Sequence, residues 1–262
     1  MRAALIQLDS AFGRVEHNVA RAAQLVAGLE ADLFVLPELF PSGYTFASRD
    51  EVARLAEPAG DGATFVALAE QARRKRAWIC YGFAERSGGR FYNAANMLGP
   101  DGLLGTYRKM HLFGRETLFF AAGEAPAPVF DLPIGRVGVM ICFDWYFPEV
   151  ARSLALRGAQ VIAHPSNLVL PHCPKAMITR SLENRVFSLT CDRVGRERNG
   201  EAEHRFIGMS QAVSPRGELL ARLSREAEET ATVEFDPAQA DDKRVTEYND
   251  LFADRHPALY AS

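Results

Sequence analysis

What limits this chain first is a repeated exchange between short apolar runs and helix-length segments. Apolar, β-branched runs at residues 2–8, 32–40 and 77–84 are separated by segments with helical periodicity at 15–30 and 62–76. Two more strand-like runs lead to Lys109. A second series then follows: a strand at 136–141, a helix from Pro148 to about 159, a strand at 160–164 and a helix at 174–186. Strands at 187–194, 209–214, 218–223 and 230–235 close the pattern. Strands interleaved with helices specify a layered α/β fold. At 262 residues, 48% of them hydrophobic, the chain has material for a substantial core. No short repeat, low-complexity tract or linker divides it, so residues 1–262 are read as a single domain. The polar segment 236–245, with Asp241, Asp242, Lys243 and Arg244, is expected to leave the core. The extension 236–262 is expected to pack on a partner subunit.

Within this pattern, residues 138–149 place a cysteine where a core strand ends and a helix is about to start. Pro148 suits the first turn of that helix. Open α/β sheets bind ligands at the carboxyl ends of their strands, which makes Cys142 a candidate nucleophile. An isolated cysteine in such a run is more often a small buried hydrophobe, so Cys142 needs company. Two segments supply it. Glu38 lies between Leu36-Pro37 and Leu39-Phe40, where desolvation should raise its pKa toward the range of a general base. Arg108 and Lys109 end another strand-like run, and alternation along a strand lets only one of them face a shared site.

A cysteine–histidine pair is the competing arrangement. Of six histidines, His111 and His164 lie near strand ends, whereas His17, His204 and His256 sit in polar sequence. His111, two residues after Lys109, shares its side of an extended segment and stays open as a base on this reading. The cysteines at 80, 142, 173 and 191 include no Cys-x-x-Cys pair, and Cys80 and Cys191 read as core strands. Gly99-Pro100-Asp101-Gly102 lacks a following Gly-Lys-Ser/Thr and reads as a strand-connecting turn.

Pro37-Glu38-Leu39-Phe40, Tyr107-Arg108-Lys109-Met110-His111 and Ile141-Cys142-Phe143-Asp144-Trp145 together resemble the nitrilase superfamily of carbon–nitrogen hydrolases. The three motifs stand in that family's order and spacing, and the likeness extends from residue 3 to at least residue 217. The resemblance implies a four-layer αββα sandwich and a cofactor-free enzyme. It implies Glu38 as general base, Lys109 as oxyanion stabiliser and Cys142 as nucleophile, with His111 structural. It further implies that Glu116 orients substrate beside the lysine. Phe143, whose N–H is the second candidate oxyanion donor, Asn167 and Tyr44 in the loop 41–46 are the remaining candidate substrate contacts. No metal is implied. Nitrilases proper often carry Trp-Glu after the nucleophile; Phe143-Asp144 leans instead toward small amides or N-carbamoyl amines, with small nitriles and a non-catalytic binding protein as alternatives. The family's habit of pairing through its 174–186 helix implies a homodimer or higher homo-oligomer.

A net charge of −3 without a basic stripe argues against nucleic acid and anionic membrane as partners. The amino terminus reaches Asp9 too soon for a signal peptide, and no uncharged run approaches a membrane span. With unpaired cysteines, this points to a cytoplasmic protein.

Overall fold

The computed structural model describes residues 1–260. Three parallel strands, β1 (Arg2–Gln7), β2 (Leu33–Val35) and β3 (Trp78–Ser87), form the centre of the first sheet. Strands β4 (Arg90–Gly99) and β5 (Gly102–Arg108) extend it antiparallel on one side. The second sheet is built alike. Its parallel centre is β7 (Gly135–Val139), β8 (Val161–Pro165) and β9 (Phe187–Cys191), with β6 (Val129–Leu132) antiparallel at one edge. A separate hairpin, β10 (Arg196–Asn199) with β11 (Ala202–Arg205), precedes β12 (Gln211–Val213) and β13 (Leu219–Arg222), which complete the second sheet. Strand β14 (Glu229–Glu234) returns to pair with β1.

Alternation along β1 sends Ala3 and Leu5 to one face and Ala4 and Ile6 to the other, and all four are fully buried. A strand apolar on both faces needs cover on both. The inner faces of the two sheets meet, joining Leu5, Val35 and Cys80 to Val137, Val139 and Leu189. Outside the first sheet lie α1 (Val15–Ala27) and α3 (Ala63–Lys75). Their stripes Val19-Ala22-Val26 and Leu68-Ala72 follow helical spacing and cover Ile6, Phe34 and Ile79. Outside the second sheet lie α5 (Pro148–Leu156) and α6 (Cys173–Asn184), which contribute Ala151, Leu154 and Met177. The result is an αββα sandwich. Two short helices, α2 (Arg49–Leu55), capped by the Ser48 hydroxyl, and α4 (Glu116–Phe119), lie among the loops. Among the described residues, no helix is long and apolar enough to cross a membrane.

Several expected boundaries shift. The strand expected through residue 40 ends at Val35, so Glu38 belongs to a turn. The runs expected at 136–141 and 187–194 end at Val139 and Cys191. Helix α2, strand β6 and the β10–β11 hairpin were not anticipated. The segment 236–245 runs mostly exposed outside the core, as expected, but is tied back to it at a few points. Its short 3₁₀ turn, Pro237–Ala240, buries Ala240; Arg136 and Gln160 donate to Asp241, and Lys243 donates to the carbonyls of Asn184 and Arg185. Asp241 and Lys243 thus hold the segment against the second sheet and α6, while Asp242 and Arg244 pair with each other at the surface. Further on, Phe252 packs against the inter-sheet core, while Tyr248, Leu259 and Tyr260 are exposed. Residues 261 and 262 of the expected partner-covering tail lie outside the described residues.

One glycine sets how closely β3 approaches the turn that carries Glu38. A Cβ at Gly82, in β3, would stand 2.4 Å from the Glu38 Cα and 3.0 Å from the Pro37 carbonyl oxygen. Both obstacles are backbone. Gly82→Ala is therefore expected to cost about 1–3 kcal/mol in stability by overpacking and to displace Glu38. Denaturant unfolding together with an activity assay checks this, and a variant with wild-type stability and turnover would refute the contact's importance.

Candidate active site

Glu38 is held by both sheets. Leu36 N–H donates to the Cys80 carbonyl at 2.9 Å, and Gly82 N–H to the Pro37 carbonyl at 3.2 Å. From the second sheet's side, Glu38 N–H donates to the Ser166 carbonyl at 3.4 Å, and the Asn167 amide donates to the Glu38 carbonyl at 2.8 Å. Leu39 closes the turn in the left-handed region, with φ of 48°. Lys109 is the first residue beyond β5. Arg108 turns outward to Glu85 at 2.6 Å and stacks over Tyr92, so Lys109 points in, as strand alternation required.

Inside, the Lys109 ammonium donates to Glu38 Oε1 at 2.7 Å and to both oxygens of Glu116 at 2.9 Å. Asn93 donates to the same Glu38 oxygen at 2.6 Å, and the Tyr44 hydroxyl donates to Glu116 Oε1 at 2.9 Å. The lysine and both carboxylates are buried. Two carboxylates around one ammonium leave an excess of negative charge away from water, and the protonation states follow. Burial pushes the Glu38 carboxyl up, Lys109 opposes and Glu116 reinforces the rise, and the outcome is about 7. Burial alone would lower Lys109, but Glu116 and Glu38 outweigh it and hold the ammonium above the ordinary lysine range. The Cys142 thiol is pushed well up by burial and by Glu38, against a partial offset from Lys109, so at rest it carries its proton.

Cys142 opens the 3₁₀ turn Cys142–Tyr146 with φ of 36°, a strained value for a side chain with a Cβ. Neighbours on both sides hold it there. Asp144 Oδ2 accepts the Ile141 N–H at 2.9 Å and the Tyr107 hydroxyl at 2.8 Å, while its Oδ1 meets His111 Nδ1 at 2.8 Å. The His111 ring stacks on Phe147 at 3.6 Å between centroids. His164 Nε2 lies 2.9 Å from the Cys142 carbonyl, which can only accept, so that nitrogen carries the hydrogen. Burial pushes the His164 ring down to about 4, which keeps it neutral. Among the described residues, neither histidine bonds the thiol, whose Sγ lies 3.6 Å from the Asn167 carbonyl.

The candidates read from sequence thus converge. Glu38, Lys109 and Glu116 are bonded together, and Tyr44 closes on Glu116. Asn167 bridges Glu38 and Cys142 through its amide and its carbonyl. Phe143 walls a cleft of about 20 Å³ beside Cys142, with Phe113, Trp145 and Leu168. Phe113 also lines an adjoining cavity of about 170 Å³ with Tyr44, Phe46, Glu116 and His204. Asn93, Tyr107 and Asp144 were missed, as was the backing role of His164. Asn93 carried a usable signal, a polar residue inside the apolar run of β4. His204, in polar sequence, also reaches this cavity: it meets the Tyr44 ring edge-on at 5.2 Å and the Thr45 hydroxyl at 2.9 Å. A wider depression of about 450 Å³ near Arg185, Arg216 and Arg244 is lined by none of these residues. Among the described residues, no group of three His, Cys, Asp or Glu side chains is arranged to hold a metal ion.

Comparison with known proteins identifies the family. Residues 2–244 match the family described as carbon–nitrogen hydrolase. A nitrilase of Pyrococcus abyssi is 44% identical over 99% of both chains, and an N-carbamoylputrescine amidase of Solanum lycopersicum is 30% identical over 94% of this chain and 89% of its own. Among solved structures, a cysteine-to-alanine mutant of an amidase from Nesterenkonia, in complex with butyramide, superposes with a TM-score of 0.77 at 25% identity, covering 93% of this chain and 94% of that one. The fold, the strand-end site and these matches establish that the chain belongs to the carbon–nitrogen hydrolase family and is an enzyme of its nitrilase–amidase type.

Proposed function

We propose that the protein hydrolyses small amides or N-carbamoyl amines through a thioester on Cys142, with Glu38 as base and Lys109 as oxyanion partner. The observation that carries this reading is the division of Glu38. Its Oε1 receives Asn93 and Lys109, while its Oε2 is buried with no hydrogen-bond partner among the described residues. A buried oxygen without a donor is available to one that arrives. The thiol gives its proton to that oxygen as sulfur attacks the carbonyl carbon, and the negative charge formed on oxygen is met by the Lys109 ammonium and the Phe143 N–H. Collapse breaks the carbon–nitrogen bond, and the proton held by Glu38 leaves with the amine. Water then attacks the thioester, loses a proton to Glu38, and the acid departs as the thiol is restored.

The substrate reading rests on Phe143-Asp144 after the nucleophile and on likeness to an amidase crystallised with butyramide. A nitrile substrate is the second reading, favoured by the 44% identity to a protein named nitrilase. A panel of butyramide, an N-carbamoyl amine and butyronitrile, read by ammonia release, separates the two. Amide or carbamoyl turnover is expected to dominate, and Cys142→Ala is expected to remove at least about 10³-fold of it while keeping its unfolding midpoint. Inert amides beside rapid nitrile hydrolysis would reverse the substrate assignment; a Cys142→Ala enzyme with substantial turnover would end the nucleophile assignment.

The base must be ionised in the free enzyme, so the sign of the pH effect is fixed. A Glu38 carboxyl near 7 is mostly protonated at pH 5 and mostly ionised at pH 8. The value of kcat/KM should therefore rise about 100-fold from pH 5 to the plateau, with its acid limb centred near 7. A limb centred near the ordinary glutamate value would sink the account of excess buried charge.

For assembly, we infer a two-fold homodimer that uses α6 and the carboxyl-terminal segment. Leu182 on α6 and Leu259 and Tyr260 beyond it are exposed apolar side chains, compatible with a partner's cover. Light scattering at micromolar concentration should give twice the 28.9 kDa chain mass, and a monomer would refute the inference.

A further inference from the structure

The β10–β11 hairpin stands apart from both sheets, and a lone two-stranded hairpin is marginal in water. Its inward contacts gather on one loop. Glu197 Oε2 accepts the N–H groups of Tyr44 at 2.8 Å and Thr45 at 2.6 Å. The Asn199 amide donates to the Thr45 carbonyl at 3.0 Å, and His204 Nδ1 meets the Thr45 hydroxyl at 2.9 Å. The fit at this seat is tight: a Cβ on Gly43, whose φ is 83°, would stand 2.5 Å from Glu197 Oε1. Behind Glu197 is Arg193, fully buried, which donates to Glu197 Oε1 at 2.8 Å and to the Ser10 carbonyl. Its guanidinium lies 4.1 Å from the centre of the Phe206 ring, and that ring packs edge-on against Tyr44 at 6.0 Å.

A buried ion pair is weak evidence of a device for stability, because desolvation consumes most of the attraction; what such a pair can supply is a fixed geometry. Here the geometry leads to the reacting centre. The loop set by Glu197 carries Tyr44, whose hydroxyl donates to Glu116 Oε1, the oxygen that Lys109 also reaches. We propose that Glu197, held by Arg193, is a positioning residue for hydrolysis at Cys142: it fixes the loop so that Tyr44 orients Glu116 and Glu116 aims the Lys109 ammonium. The inference rests on the reaction proposed above. Glu197 touches no reacting atom and acts only through Tyr44. If that is so, damage at Glu197 and damage at the Tyr44 hydroxyl interrupt one path and cannot multiply.

The test is a double-mutant cycle on the intact protein with Tyr44→Phe and Glu197→Gln, and with Glu197→Asp as a second arm. Aspartate keeps a charge opposite Arg193 but draws the carboxylate back from the two amides, so the cycle survives if the glutamine variant fails to fold. With the best amide substrate of the wild type, each single change should lower kcat about 5–30-fold with a smaller effect on KM. The double variant should fall within about twofold of the worse single one. Fold losses that multiply, or unchanged kcat beside a lowered unfolding midpoint, would overturn the proposal. Iodoacetamide alkylation of Cys142, followed by mass spectrometry, reads the same site without a substrate. If the wild type hydrolysed no amide, carbamoyl or nitrile compound, the proposed reaction would fall, whereas non-additive changes in alkylation rate would still uphold the link from Glu197 to the site, and additive ones would remove it.

Discussion

The arrangement of this molecule turns on one buried cation. Lys109 is shut away from water between Glu38 and Glu116, and withdrawing the lysine would leave two carboxylates facing each other uncompensated in a medium where that is costly. Each carboxylate is brought by a different element: Glu38 by the turn after β2, Glu116 by the first residue of α4. The turn after β2 is thus fixed by one ammonium to the segment 109–116, which is distant from it in sequence. Of the two carboxylates, Glu38 keeps an oxygen free of any partner among the described residues, and burial, reinforced by Glu116 against the opposing Lys109, raises its carboxyl to about 7.

The same site shows why strain is tolerable where it occurs. Leu39 and Cys142 both adopt positive φ, and both sit where a parallel strand has just ended and the chain must turn sharply. An isolated turn of that kind would relax, at a gain of order 1–3 kcal/mol. Here Asp144 holds the N–H before Cys142 and His164 holds its carbonyl, while Gly82 and Asn167 fix the carbonyls of Pro37 and Glu38. Asp144 and His164 bond to the backbone around Cys142, not to its sulfur. Their work is to over-determine a conformation, and the buried, neutral His164 ring does this as a donor to backbone.

Much of this was legible in the sequence, for identifiable reasons. Strands buried on both faces read as unbroken apolar runs, and β1, β3, β7 and β8 were visible on that ground. The helices α1, α3, α5 and α6 showed through periodicity and through Pro148. Glu38, Lys109 and Cys142 each lie near the end of a strand-like run, and the three motifs together, in one family's order and spacing, singled them out. What escaped notice obeys other rules. The β10–β11 hairpin carries Arg, Glu and Asn on short strands and owes its place to single buried contacts, which leave no periodic trace. Segment 236–245 is polar in composition yet docks, because Asp241 and Lys243 meet partners supplied by β7, by Gln160 just before β8 and by α6, all far away in sequence. Hydrophobic pattern reports burial of apolar surface and is silent about polar groups that pair at long range.

That distinction bears on how the site is assembled. The parallel strands bring their carboxyl ends to a common seam, and this much follows from apolar packing alone. Packing leaves the depth and direction of each side chain loose by more than a reaction allows, since a displacement of about 1 Å can cost two orders of magnitude in rate. The remaining precision comes from buried polar contacts that cross from one element to another: Asn93 to Glu38, Tyr44 to Glu116, Tyr107 to Asp144, Asn167 to the Glu38 backbone. Each joins residues far apart in the chain, so each forms only when both elements are already in place. The sandwich determines where a thiol, a carboxylate and an ammonium can meet, and the buried polar contacts determine the angle and distance at which they do.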